Sequence, residues 1–308
     1  MTRALVTNRQ SRANKGNPAA AGRLAKSLGA ELFDPATLEA LDDVAPALAQ
    51  VDELWVHGGD GTLHRVLTAV HRTLGSGLEA ALPTISVLRA GTMNIVADSL
   101  GQRSSADQAV KVALSGESPR VEHACPMLVD VGEAAPCLGF LAGGGIISRF
   151  LEVYYETPDP TPVDAGLLLA RGAASAMVGG ALARRLTRPF EGELRVDGEV
   201  WEGGPWMAVA LGTVEQLGLG FTPFPDVREH PGHLHVVGIG SHITALALEL
   251  PRVWLGRGVR RSGNRDQRAR VVELTADQPI PFMVDGDFYA GSERVQIRTL
   301  PPVRFHVW

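Results

Sequence analysis

Three short stretches of this chain carry residues able to grip phosphate or take a proton. The first is GGDGT, Gly58 to Thr62, set between the apolar run Leu54, Trp55, Val56 and a segment where Leu63, Val66, Leu67 and Val70 recur at helical spacing. A strand that turns straight into a helix leaves the first helical N–H groups unpaired and the positive dipole end open, which makes an anion site. Gly58, Gly59 and Gly61 have no Cβ, so they can take positive φ and let a phosphate approach the main chain. Thr62 is placed to cap the helix or bond a phosphate oxygen. Asp60 would repel a phosphate unless it binds a cation or orients a donor, so the stretch points to a Mg²⁺-nucleotide site with Asp60 beside the metal. The plainer alternative is a tight turn with a surface aspartate. The Walker A pattern GxxxxGK[ST] is absent.

The second stretch, Arg89 to Gly101 (RAGTMNIVADSLG), follows the apolar run Thr84 to Leu88. If that strand lies beside the Leu54 to Val56 strand, Gly91, Thr92 and Asn94 face the same pocket as Gly58 to Thr62. Asn94 reads equally as a helix N-cap. In the third stretch Asp285 and Asp287 flank Gly286. Extended geometry sends both carboxylates to one side, one as general base and the other as a metal or water ligand. A hairpin turn with two solvated aspartates is the alternative.

Alternating elements must position the first two stretches. Strands are expected at Ala4 to Thr7, Glu31 to Phe33, Leu54 to Val56 and Thr84 to Leu88. Helices are expected from Pro18 through Leu28, from Pro35 through Leu38, Leu41, Val44 and Leu48, after GGDGT, and over Ala106 to Leu114. This order implies an α/β domain with a parallel sheet, whose ligands collect at the carboxyl ends of the strands. Ser115 to Arg120 reads as a linker, dividing a domain of residues 1–118 from one of 119–308. Short strands follow at Met127 to Val131, Leu138 to Ala142, Gly192 to Asp197, Trp206 to Leu211, Leu234 to Ile239, Arg270 to Glu273 and Arg294 to Thr299, the pattern of a mainly antiparallel β-sandwich. Helices interrupt them at Ile147 to Tyr155, Gly166 to Leu186 and Ile243 to Leu250.

The 308 residues, 45% hydrophobic and 20% charged, suit a globular protein of two domains. A net charge of −5 gives no electrostatic case for nucleic acid. Cys125 and Cys137 are the only cysteines, too few for a disulfide scaffold, so a reducing cytoplasm is the expected compartment. His230, His233 and His235 lack a matching Cys or carboxylate and read as solvated strand residues rather than zinc ligands. The arginines Arg252, Arg257, Arg260, Arg261, Arg265, Arg268 and Arg270 form either a charged surface loop or a contact for anionic membrane phosphates. The run Ala165 to Leu182, rich in small residues, is the second candidate for a docking face.

The chain resembles the diacylglycerol kinase catalytic-domain family of lipid kinases. GGDGTLH at Gly58 to His64, GTMN followed by Ala97, the cluster Gly143 to Gly145, and VDGD at Val284 to Asp287 carry the resemblance over nearly the whole length. It implies a nucleotide domain, a lipid-accepting β-sandwich whose last strand may rejoin the first domain, a cleft between them, and transfer of the ATP γ-phosphate to a lipid hydroxyl. It also implies nucleotide contacts at Asn8, Gly58, Gly59, Asp60, Gly61, Thr62, Leu63, His64 and Thr92, and a general base at Asp287. Mg²⁺ and peripheral membrane contact at the inner face follow from the same activity, while the lipid and any homo-oligomer stay open. GGDGT is shared with NAD kinases, which leaves a NAD kinase-like phosphotransferase and a non-catalytic nucleotide or lipid regulator as alternatives. The chain departs from the family pattern at Arg9, at Ile147 and Ser148, at Pro231, and at Asp287, which is one methylene shorter than the usual glutamate. With proline at Pro231 no second, structural metal site is expected.

Overall fold

Parallel pairing of short apolar strands builds the first sheet in the computed structural model, which describes residues 1–37, 40–75, 82–132, 134–202, 204–260 and 263–308. β1 (Arg3–Thr7) lies between β2 (Glu31–Phe33) and β3 (Glu53–Gly58), and β4 (Thr84–Arg89) continues the sheet, all parallel. The connecting helices are α1 (Arg12–Lys15), α2 (Ala20–Leu28), α3 (Leu41–Leu48), α4 (Asp60–Leu74), α5 (Ile95–Ser99) and α6 (Ala106–Leu114). Trp55 and Leu5 bury one face of the sheet against Leu24 and Leu28 of α2 and Val110 of α6. Leu54 and Val56 alternate to the opposite side of β3, and α3 packs on α4. The third helix starts at Leu41 rather than Pro35, and Leu38 lies outside the described residues.

β5 (Arg120–Ala124) forms the far edge of this sheet, although its residues read as linker and start of the second domain. The compact unit is Met1–Pro126 together with Pro301–Trp308, and Met127–Leu300 forms the other. In chain order the strands of the second unit are β6 (Met127–Val131), β7 (Cys137–Gly139), β8 (Leu141–Gly145), β9 (Gly192–Val196), β10 (Glu199–Trp201), β11 (Ala208–Gly212), β12 (Leu234–Ile239), β13 (Asn264–Ala269), β14 (Val271–Val284) and β15 (Asp287–Thr299). They pair antiparallel throughout. The final strand, β16 (Val303–Val307), inserts between β4, parallel, and β5, antiparallel. His306 Nδ1 meets the fully buried Glu53 carboxylate at 2.8 Å, Ser86 Oγ donates to the same group at 3.0 Å, and Trp308 stacks on Trp55 at 5.8 Å. A buried charge held by several donors fixes the register of a late-arriving strand.

In the second unit β14 is the hinge of the sheet. Its first half pairs with β9 and its second half with β8, while register shifts after Thr275 and Ile280 bend it. Side chains from all ten strands, among them Val129, Leu194, Val209, Leu234, Phe282 and Ile297, then meet in one core, which is how one bonded sheet wraps a sandwich-like interior. The helices of this unit are α7 (Ile146–Tyr155), α8 (Pro162–Met177), α9 (Ala181–Leu186) and α10 (Ile243–Trp254). The sequence joins α8 and α9 into one helix, but Gly179, at φ 62°, separates them. It also joins β7 and β8, which part at Phe140. The arginines Arg265 and Arg268, read as loop, lie on β13, and Arg261 lies outside the described residues.

Candidate active site

At the carboxyl ends of β3 and β4 the two glycine turns touch. A Cβ on Gly91 would sit 2.4 Å from Gly59 Cα, and a Cβ on Gly59 would sit 2.8 Å from Gly91 Cα. Ala90 N donates to Gly58 O at 2.9 Å and continues the β3–β4 ladder into the turns. None of Gly58, Gly59, Gly61 and Gly91 has positive φ. Gly59 and Gly91 are glycines because main chain meets main chain, and Gly58 because a Cβ would overlap Thr62 Cβ at 2.4 Å.

Thr62 is not the helix cap. Gly59 holds that position without any side-chain bond, while Thr62 Oγ1 is buried and accepts from Asn8 Nδ2 at 3.0 Å. Leu63 and His64 are also buried, so only their main chain can serve a ligand. Asn94 does sit at the N-cap of α5, at φ 52°, yet its side chain bonds Gly91 twice, accepting from N and donating to O, each at 3.0 Å. Thr92 stands half-exposed between these anchors.

Asp60 bonds from one turn to the other. Its Oδ2 accepts from Ile95 N and its Oδ1 from Val96 N, each at 2.9 Å. The carboxylate is therefore the working cap of α5 and ties the GGDGT turn to the GTMN turn. Burial pushes its pKa up, and the bonds from Val96 and Ile95 oppose that shift. Among the described residues no cluster of three His, Cys, Asp or Glu could hold a metal. Asp60 thus has the geometry of a positioning residue, set by its two main-chain bonds.

Sequence reasoning overlooked Asn14 and His57, which hold the base of the turns. The buried Asn14 Nδ2 donates to Asn8 O at 2.8 Å and lies 3.3 Å from both Thr7 Oγ1 and His57 O. Burial pushes His57 down to about 4, with Asp107 pulling weakly the other way. A polar loop such as NRQSRANKGNP gives no sign of which asparagine turns inward. Arg9, where the family has proline, bonds Asp34 on the surface. A groove of about 550 Å³ lined by Arg23, Leu24, Ser27, Asp107, Val110 and Lys111 shares no residue with the turns.

In the second unit, Val284 pairs with Asp287 across Asp285 and Gly286, whose φ values are 46° and 90°. Positive φ at both central residues defines the tight hairpin turn that Asp-Gly favours. The segment is not extended, so Asp285 and Asp287 do not share a direction. Asp285 is buried, and its carboxylate accepts from Phe140 N at 3.0 Å and Leu141 N at 2.8 Å, bridging the break between β7 and β8. It is occupied as a structural clamp and not as a second catalytic acid. Asp287 opens β15, half-buried, next to Phe288, whose ring meets Tyr155 edge-on at 6.0 Å.

The glycine cluster of β8 lies between β11 and β14, where a Cβ on Gly143 would come within 2.8 Å of Val209 O. Ile147 packs over Gly143, and the fully buried Ser148 Oγ lies 3.0 Å from Gly145 O and 3.1 Å from Pro281 O. Of the three histidines His235 alone lies on a strand, β12, where it is buried against Asp266 and Phe224 rather than solvated, while Arg270 Nε donates to His233 ahead of it.

A parallel α/β unit with joined glycine turns at neighbouring strand ends is interrupted in sequence by an antiparallel unit with an acidic hairpin. Residues 4–125 match the diacylglycerol kinase catalytic domain, and residues 165–303 match the YegS C-terminal NAD kinase beta sandwich-like domain. The chain is thus diacylglycerol kinase-like over its first matched segment and YegS-like over its second. It is similar to the probable lipid kinase YegS of Escherichia fergusonii, 27% identical over 245 residues that cover 79% of this chain and 74% of that protein. To the lipid kinase YegS of Escherichia coli K12 it is 27% identical over 179 residues, 58% of this chain and about half, 53%, of that relative. A putative diacylglycerol kinase from Bacillus anthracis str. Sterne shares the fold, with TM-score 0.71, 15% identity, and coverage of 100% of this chain and 97% of that one.

Proposed function

We propose that this chain is an ATP-dependent lipid kinase that transfers the γ-phosphate to a hydroxyl of a diacylglycerol-like or sphingoid lipid. The observation that carries the proposal is the Gly59–Gly91 contact, which joins two bared turns at the open N-terminus of α4. This donor set suits a polyphosphate: backbone N–H groups at a helix start, no side-chain cap competing for them, and Thr92 beside them. Mg²⁺, when bound with the nucleotide, would neutralise charge on the transferring phosphoryl group. Asp60 and Asn94 would keep the two turns in register under that load.

In the step itself the lipid oxygen bonds the γ-phosphorus, the bond to the β-phosphate oxygen breaks, ADP leaves, and the hydroxyl proton passes to the Asp287 carboxylate. Tyr155 and Phe288, both partly exposed, offer an apolar lip beside that carboxylate, suited to an acceptor with a hydrocarbon body. The cytoplasmic side of a membrane, where ATP is present, is the setting this reaction requires.

The purified chain incubated with labelled ATP, Mg²⁺, a total lipid extract and, separately, NAD tests the reading. Label is expected in lipid, and Asp287→Ala should reduce it about 10²- to 10⁴-fold with nucleotide binding retained. Unchanged labelling would remove Asp287 from the chemistry. Label in NAD instead would favour the phosphotransferase suggested by the NAD kinase-like profile of residues 165–303. Nucleotide binding without turnover on any acceptor would favour a regulator.

A further inference from the structure

Two helices of the second unit are exposed on the wrong face for contact with water. In α8 the small residues Ala165, Gly172 and Ala176 point inward, while Val163, Leu167 and Met177 recur along the exposed stripe and lead to Val178, which is 82% exposed. In α10 the acidic Glu249 is turned inward, accepting from Arg260 N and Asn264 Nδ2 at 3.0 Å each. Leu248, Trp254 and Leu255 are more than half exposed on the outside of that helix and its C-cap. Soluble helices bury the apolar stripe and expose the acid, so both are inverted. Scattered apolar residues need no explanation, but two stripes on helices that pack together do.

Within the two segments that carry these stripes, the exposed charges have one sign. From Pro162 to Arg188 the sole acid, Asp164, is consumed in the capping box with Thr161, whereas Arg171, Arg184 and Arg188 are exposed. From Ile243 to Arg260 the sole acid is the buried Glu249, whereas Arg257 and Arg260 are exposed. No helix among the described residues is long and apolar enough to cross a membrane. An apolar stripe flanked by arginines, too short to span, is the physical signature of an element that lies in a bilayer surface.

We propose that the exposed stripes of α8 and α10 dock on an anionic bilayer, with apolar side chains entering the headgroup boundary and the arginines meeting lipid phosphates. A second copy of the chain is the poorer occupant, because a two-fold contact would set these arginines against their own copies. This docking role rests on the lipid-kinase reading for its purpose, but vesicle binding needs no turnover, so the two fail separately.

Sedimentation of the full chain with vesicles tests the proposal, using phosphatidylcholine alone or with about 30% phosphatidylglycerol to supply surface charge. Binding to the mixed vesicles should be about tenfold tighter and should weaken in high salt. The triple variant Leu167→Ser, Leu248→Ser, Trp254→Ser should lose about tenfold or more in partitioning with its melting temperature unchanged, since these side chains are exposed. Arg257→Ser with Arg260→Ser should narrow the difference between the two vesicle types. Equal partitioning of the triple variant and the parent, or no sedimentation of the parent with either vesicle, overturns the proposal. So does a parent dimer in light scattering that the triple variant converts to monomer, which would make a second copy the occupant.

Discussion

Asp60 and Asp285 each precede a glycine, and each carboxylate holds two consecutive main-chain N–H groups of a segment far away in sequence: Ile95 and Val96 in one unit, Phe140 and Leu141 in the other. The surroundings differ. Asp60 is half-buried at the start of a helix on extended-to-helical backbone, beside glycines chosen for close approach. Asp285 is buried in a turn that demands positive φ, and its partners sit in the core of a sheet. One motif, aspartate beside glycine, therefore joins two ligand turns in the first unit and seals a strand break in the second. A carboxylate whose oxygens already accept N–H groups is poorly placed for proton transfer, so neither Asp60 nor Asp285 is offered as the base.

The comparison can be broken by substitution. Asp285→Ala orphans two buried N–H groups and puts alanine at φ 46°, so urea unfolding should show a loss of about 3–5 kcal/mol. Asp60→Ala should cost only about 1 kcal/mol, because the N-terminus of α5 is partly open to water and burying the charge was itself unfavourable. Equal losses would mean that the two clamps are equivalent.

Acid gives the next test, inside the first unit. His57 is neutral in the fold at about 4 against an ordinary 6.5, so the unfolded chain binds the extra proton between those values. Its contribution is complete above pH 6.5 and falls away as the pH drops to about 4, by on the order of 2–3 kcal/mol. Asp60, held above the ordinary carboxylate range, has the opposite sign: its contribution is present below that range and lost as pH rises through its raised value. His57→Gln should flatten the decline between pH 6.5 and 4, read as urea midpoints. A decline of unchanged slope would assign the acid response elsewhere.

A further test falls at Gly91. Its Cβ would overlap Gly59 Cα, so Gly91→Ala should cost about 2 kcal/mol and weaken nucleotide binding, measured by calorimetric titration. Gly286→Ala should leave nucleotide binding untouched, because that glycine answers a backbone angle in the other unit.

Local pattern was enough for β1 to β4 and for α4, where a run of buried apolar residues adjoins an amphipathic helix. It was not enough for β5, whose Arg120 to Glu122 are polar or exposed at a sheet edge, or for β13, whose alternating arginines read as loop. The positions of the glycines in the turns were legible, but the reason for them was not. Gly59 is explained only by Gly91, and that contact needs the two strands side by side. Asp285 is misread for the same cause: its partners lie 144 and 145 residues upstream, and no local spacing reports them. The GGDGT turn itself was legible because the strand before it and the helix after it adjoin it in sequence.

The return of β16 has a consequence for how the chain is made. Until residues 303 to 307 leave the ribosome, β4 presents an open row of amides and carbonyls, and β5 has no partner. The nascent first half must therefore wait, incomplete, while the whole of the second is synthesised, a period in which a chaperone or a stray strand can compete for the vacant edge.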